Sequence, residues 1–175
     1  MDREDIVAAV IAAAGGELIG RVRLQKAVYL LDQLGLGSEF GYEYHHYGPF
    51  SRDLENATAD AKAVGLIEEK FGARESDRAA YSIYRLSEEA KVADAAYGKL
   101  GAQRTAELAR QFAATNITVL ELAATVDWLW RFEGRADWRD EIARRKNRKV
   151  EGGRLEMAVQ LLDGLGLKPP APETA

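Results

Sequence analysis

The hydrophobic period of the chain changes at Gly65, and that change limits what it can fold into. Upstream, apolar residues recur at helical spacing. Downstream, GLIEEKF at 65–71 and AAYSIYRL at 79–86 alternate as strands do, joined by the polar GARESDR at 72–78. Two alternating runs with a short charged link predict an antiparallel hairpin. Before the switch, Ile6, Val7, Val10 and Ile11 mark a first helix stopped by Gly15-Gly16. Leu24, Ala27, Val28, Leu31 and Leu34 mark a second, closed by Gly35. A third carries Leu54, Ala57, Ala61 and Val64, with Ser51 as N-cap and Asp53 in its first turn.

Between the second and third helices lies YEYHHYGPFSRDL, residues 42–54. Its aromatic alternation predicts a strand over 42–47, ended by Gly48-Pro49 because proline has no amide for a ladder. The expected fold class is therefore mainly α with a small antiparallel β-sheet, its strands near 42–47, 66–71 and 80–86. Helix, strand, helix and then a charged hairpin is the order of a winged-helix-like core over residues 1–99. Ser87, with Glu88 and Glu89 behind it, predicts a further helix carrying Ala93, Ala96, Tyr97 and Leu100.

The remainder reads as a helical C-terminal part, 103–166, packed on that core. Thr118 and Glu121 stand at capping-box spacing before the apolar run LELAATVDWLWRF. Trp128, Leu129 and Phe132 need cover, and Trp128, Trp130 and Trp138 read as packing residues. Asp137 suits an N-cap. A last helix carries Leu155, Val159, Leu162 and Leu165, and a proline-rich tail over 167–175 is expected to be disordered.

The chemistry-bearing signals are few. The chain has no cysteine, which removes disulfides and thiolate ligands and suits a cytoplasmic setting. Its two histidines, His45 and His46, are adjacent, so in a strand they leave opposite faces and share no metal ion. There is no nucleotide-binding glycine loop and no nucleophile elbow. No cofactor, no metal, no enzymatic activity and no membrane segment are expected. Residues 1–99 carry 12 Lys+Arg against 17 Asp+Glu, and residues 100–175 carry 12 against 11, so a broad basic footprint is missing.

Two local features stand out against that background. Arg21, Arg23 and Lys26 occupy the first turns of a helix, where the dipole disfavours cations. RRKNRK supplies Arg144, Arg145, Lys146, Arg148 and Lys149, a nucleic-acid-like run that also suits a helix C-terminus. The third helix, however, bears Asp53, Glu55 and Asp60, which would repel phosphates from a recognition helix.

GRVRLQKAVYLLDQLG, then YEYHHYGPFSRDLENATADAKAVGLIEE, then YSIYRLSEEAK resemble the YwgA-like family of small bacterial proteins. More distantly they are similar to the SocA-like, or Panacea, antitoxin domain. The resemblance covers about residues 18–92 and maps the family motif onto Leu24, Gln25, Lys26, Tyr29, Tyr47, Gly48, Pro49 and Ser51. Phe50 after the proline, without a neighbouring tryptophan, departs from the Panacea form. The resemblance implies a helical, winged-helix-like domain without known enzymatic chemistry, whose more distant, Panacea-type relatives act as antitoxins or as adaptors handing a toxin to a protease.

Two functions follow as expectations. The first is a non-enzymatic protein-interaction module, antitoxin-like or adaptor-like, whose partner is another protein such as a toxin or a protease component. It would use a surface made by Arg23, Gln25, Lys26, Tyr47 and Arg52. The alternative is a DNA-binding winged-helix transcriptional regulator using the hairpin and Arg144, Arg145, Lys146, Arg148 and Lys149.

Overall fold

A computed structural model describes residues 1–171. The fold is mainly helical with a small antiparallel sheet and a separate two-stranded hairpin. The elements begin with α1 (Arg3–Ala13), β1 (Glu17–Ile19) and α2 (Arg21–Gln33). The hairpin β2 (Glu43–His45) and β3 (Gly48–Phe50) leads into α3 (Arg52–Ala63), then β4 (Ile67–Ala73) and β5 (Ala80–Leu86). A 3-10 turn at Asp94–Tyr97 precedes α4 (Ala102–Ala114), α5 (Ile117–Arg131) and α6 (Trp138–Lys146). A second 3-10 turn at Asn147–Val150 and α7 (Arg154–Gly164) complete the order.

The β4–β5 pairing is the hairpin that the period switch requires, with Ile67 opposite Leu86 and Ala73 opposite Ala80. Its third strand is not residues 42–47. Glu17–Ile19 takes that place, in the order β1-β5-β4, with Leu18 opposite Tyr84. Three residues are too few to display a period, so this strand leaves no pattern to read.

The Gly48-Pro49 assignment also needs correction. Rather than ending a strand, these residues form one: Pro49 pairs with Tyr44 and Gly48 with His45. A two-stranded ribbon tolerates proline because one edge of each strand needs no ladder partner. Nor does Ser87 start a helix. Residues 87–93 are turn and coil before the short 3-10 segment, although Ala96 and Tyr97 are buried as expected. At α5 the cap is Asn116, whose side chain accepts from the amides of Thr118 and Val119, and Glu121 is buried instead of closing a capping box. Ser51 does cap α3, accepting from Leu54 N at 3.1 Å.

One hydrophobic cluster runs from Val7 on α1 through Leu30 and Leu31 on α2 to Leu120, Leu129 and Leu162 on α5 and α7. The C-terminal helices are thus built into the same core as the N-terminal ones. Leu129 is covered, and Trp138 is buried, but Phe132 is 53% exposed with Trp128 stacked on it at 4.7 Å. Leu167, placed in the tail by the sequence reading, is buried in this core, its amide donating to Leu162 O at 2.8 Å. Residues 172–175 of that tail lie outside the described residues. No described helix is long and apolar enough to cross a membrane.

Candidate functional site

The hairpin β2–β3 sits between two sets of buried polar side chains, and α2 provides the first. Gln25 makes a reciprocal pair with the main chain of Ser51: its Nε2 donates to Ser51 O at 2.9 Å, and Ser51 N donates to its Oε1 at 2.8 Å. Lys26 donates from Nζ to Pro49 O at 2.7 Å. These two side chains satisfy backbone groups that a two-stranded ribbon leaves unpaired, which burial would otherwise make costly. The LQK and YGP segments therefore belong together: one is the clasp of the other.

The second set comes from α5 and the basic run. Lys146 donates to His46 O at 3.0 Å and to Glu121 at 2.8 Å, and Lys149 reaches Glu121 at 3.0 Å. Arg145 lies 4.6 Å from the Tyr44 ring centre, while it pairs with Glu133 and Glu141. Lys149 lies 4.9 Å from the Tyr47 ring centre, and Arg144 pairs with Glu141. Gly48, at φ +94°, allows the close approach of α5, because a Cβ there would stand 2.5 Å from Thr125 Oγ1. Four of the five cations in the run are thus spent on internal carboxylates, and Arg148 alone has no side-chain partner among the described residues.

The expected surface of Arg23, Gln25, Lys26, Tyr47 and Arg52 is only partly a surface. Gln25 is buried and Lys26 is 1% exposed. Arg23 bends across to α4, where Nη1 donates to Phe112 O at 2.8 Å and Thr115 O at 2.5 Å. Its charge, unfavourable at its own helix start, meets the negative C-terminal end of another helix. Burial holds its guanidinium below the usual arginine value. Arg52 is exposed at the start of α3 and does not line the cleft described next. Tyr47 is 48% exposed and does.

That cleft, of about 460 Å³, opens between the hairpin, the start of α2, α3 and β4–β5. Gln25, Lys26 and Thr58 line it from the interior, and Tyr47, Phe50 and Tyr84 provide aromatic surface. His45 stacks on Phe50 at 4.5 Å and donates from Nε2 to Glu43 Oε1 at 2.8 Å; His46 packs edge-on against Tyr47. Glu69 lines the same cleft and is held by Arg21 at 3.2 Å, Lys62 at 2.5 Å and Ser82 at 2.6 Å. Burial raises the Glu69 carboxyl, but the bonds from Lys62 and Ser82 outweigh it and leave it below the usual range. For Lys26, burial pushes the ammonium down to about 7, against the attraction of Glu121 and with the help of Lys146 and Lys149.

Of this lining, sequence reasoning singled out Arg21 but did not place His45, His46, Phe50, Glu55, Lys62 or Tyr84 in a site. It also missed the buried Tyr29–Asp127 pair, in which the Tyr29 hydroxyl donates at 2.7 Å and burial raises the Asp127 carboxyl. A signal was available. Glu121 and Asp127 are carboxylates inside an otherwise apolar helix, and such groups demand buried partners. No cluster of three or more His, Cys, Asp or Glu side chains suited to a metal ion occurs among the described residues.

Comparison with known proteins gives two relatives of interest. The chain is 32% identical over 129 residues to a DNA ADP-ribosyl glycohydrolase of Thermus aquaticus, covering 70% of this chain and 34% of that protein. It is 33% identical over 54 residues to the uncharacterized protein YwgA of Bacillus subtilis, covering 31% of this chain and 32% of that protein. The chain thus spans about a third of the length of the curated relatives it matches. No family model matches. The YwgA match supports a YwgA-like relationship. The first match overturns the expectation that the chain stands apart from enzymes, because the protein matched over most of the chain is named as one.

Proposed function

We propose that this chain is an antitoxin-like, protein-binding module of a system that handles ADP-ribosylated DNA. The observation that carries the reading is the match of 70% of the chain to one third of a protein named DNA ADP-ribosyl glycohydrolase. A hydrolase of ADP-ribosylated DNA has substrate only where a transferase has put ADP-ribose on DNA. An antitoxin-like module in such a system restrains that transferase, and the transferase is the proposed partner. The geometry supports a docking role for the cleft: Tyr47 and Phe50 on one side and Arg21 on its rim are residues favoured as interface anchors.

The finer fold reading supports the same conclusion. The order α1, β1, α2, α3, β4, β5, with the hairpin β2–β3 inserted between α2 and α3 and a sheet order of β1-β5-β4, is the basis on which we read the core as winged-helix-like. The SocA-like resemblance of the α2 and hairpin segments agrees with an antitoxin role. Duplex DNA binding by the same domain is less well supported, because α3 bears Asp53, Glu55 and Asp60 and most of the basic run is paired internally.

A second reading is hydrolysis of ADP-ribosylated DNA in the cleft itself. It is favoured by the name of the relative and by Lys26 and Glu55, an amine poised near neutrality and a carboxylate, both lining one cavity. Two assays separate the readings. Added to a DNA ADP-ribosyltransferase reaction, the chain is expected to suppress modification in proportion to its concentration, and Tyr47→Ala to weaken suppression about tenfold or more. Incubated with an ADP-ribosylated oligonucleotide, release of ADP-ribose lost in Lys26→Met but kept in Tyr47→Ala would favour the second reading. Absence of suppression would count against the first.

A further inference from the structure

β5 is paired on both sides toward its end but only on one side where it begins, and the ladder shows what is left over. Toward β4 it bonds through odd-numbered residues: Arg74 N donates to Ala79 O, and Ser87 N to Leu66 O. Toward β1 it bonds through even-numbered ones: Leu86 N donates to Gly16 O, and Gly20 N to Ser82 O. β1 stops at Ile19, and the chain turns away at Gly20, φ +100°, to start α2. The Gly20 carbonyl accepts from Leu24 N instead. Ser82 N–H and both main-chain groups of Ala80 thus have no partner among the described residues. Ser82 is 4% exposed, and a main-chain donor on so covered a residue is rarely left unpaired.

This edge opens into a groove of about 590 Å³ between the end of β1, the first turn of α2 and Ile117. Arg21, Arg23 and Arg74 line it, and no Asp or Glu does. The first turn of α2 adds positive potential, because its N-cap, Gly20, has no side chain to accept from the amides there. The two faces of the sheet differ beside the edge. On the face of Ser82 lies Arg21, whose Nε donates to Ser82 Oγ at 3.0 Å. On the face of Tyr81 lies Ile19, opposite Ile83 and 46% exposed. We propose that an extended acidic segment of a partner protein adds here as a strand, its main chain bonded to Ala80 and Ser82, its carboxylates beside Arg21 and its apolar side chains beside Ile19. Added strands bind through main-chain bonds and are selected by alternate side chains. Arg21 is free to serve: 68% of its side chain is exposed, and Lys62 and Ser82 also hold its partner Glu69. A nucleic acid would satisfy the arginines, but its phosphates donate nothing to the Ala80 carbonyl. The inference goes beyond the reading above, since it holds whether or not the partner is a transferase.

The probe is a fluorescein-labelled peptide alternating Glu and Val over about eight residues, titrated against the full chain by anisotropy and by amide-resolved hydrogen exchange. Saturable binding is expected, with exchange at the Ala80 and Ser82 amides slowed about tenfold or more in the complex. Peptides N-methylated only on the Glu amides or only on the Val amides should bind unequally, because alternate amides of a strand face its neighbour. Ala80→Pro removes a donor that β4 does not use, so the variant should melt as the wild type does. It should weaken the peptide about tenfold, and Arg21→Ala should do the same. If Ala80→Pro fails to fold, the two methylated peptides carry the same test. No saturable binding, unchanged exchange at Ala80 and Ser82, or equal affinity for the two methylated peptides would overturn the proposal. So would equal affinity for a peptide with Lys in place of Glu, or an oligothymidylate that competes as well as the peptide.

Discussion

Lys26 carries an amine into an interior where, among the described residues, no carboxylate lies within ion-pair distance, and donates to the carbonyl of Pro49. Its folded value near 7 is below that of a solvated lysine, so between the two the unfolded chain holds more of the proton. Stability assigned to this group is therefore reduced below about pH 7 and recovers as pH rises toward the ordinary lysine value. Lys26→Met removes the titration while leaving Pro49 O without its donor at every pH. Relative to that variant, the wild type should gain on the order of 2 kcal/mol between about pH 7 and pH 9.5, read by urea unfolding. Gly48 is the other residue on which the hairpin depends. Gly48→Ala combines a positive φ with a contact of 2.5 Å to Thr125 Oγ1, and should cost about 2 kcal/mol or more in thermal melts.

The hairpin β2–β3 is too small to stand alone, and its place is set by side chains from α2, α5 and the basic run. Glu121 gathers the second of these contacts, because both Lys146 and Lys149 reach it. Glu121→Gln leaves Lys146 buried with only the His46 carbonyl. A loss of about 3 kcal/mol is expected, with faster hydrogen exchange in residues 43–50 than in β4–β5. This is also where the limits of reading the sequence lie. The helices of 3–13, 21–33 and 52–63 were legible because glycines and Ser51 punctuate strong apolar stripes. β4 and β5 were legible from their alternation. β1 was too short to carry a pattern, and Pro49 within a strand contradicted a rule that holds for central strands only. Of the site, the pairing of Gln25 and Lys26 with the Gly-Pro segment was visible as proximity. That both point inward was not, because basic residues at a helix start say nothing of which face is covered until α4 and α5 are placed. The RRKNRK run hides part of its pairing for the same reason: Glu121 and Glu133 are distant in sequence, whereas Glu141 stands at ordinary helical spacing from Arg144 and Arg145.

At the scale of the whole molecule, α5 is the central element: it faces α2 through Asp127 and Tyr29, the hairpin through Thr125 and Glu121, and shares the apolar core with α7. Residues 1–99 without it would expose Val28, Leu31 and the Lys26 amine. That fragment is expected to show no cooperative thermal transition, whereas the chain to residue 171 should unfold in one step by circular dichroism. An N-terminal part that shares its core with the helical half is suited to presenting the cleft beside Tyr47 as one composite face. The measurement that bears most directly on the proposed role is calorimetric titration of this chain into a DNA ADP-ribosyltransferase from the same organism. A one-to-one complex, weakened about thirtyfold by Tyr47→Ala, is the expected result. No heat of binding at micromolar concentrations of both proteins, or a complex indifferent to Tyr47 and Phe50, would contradict it.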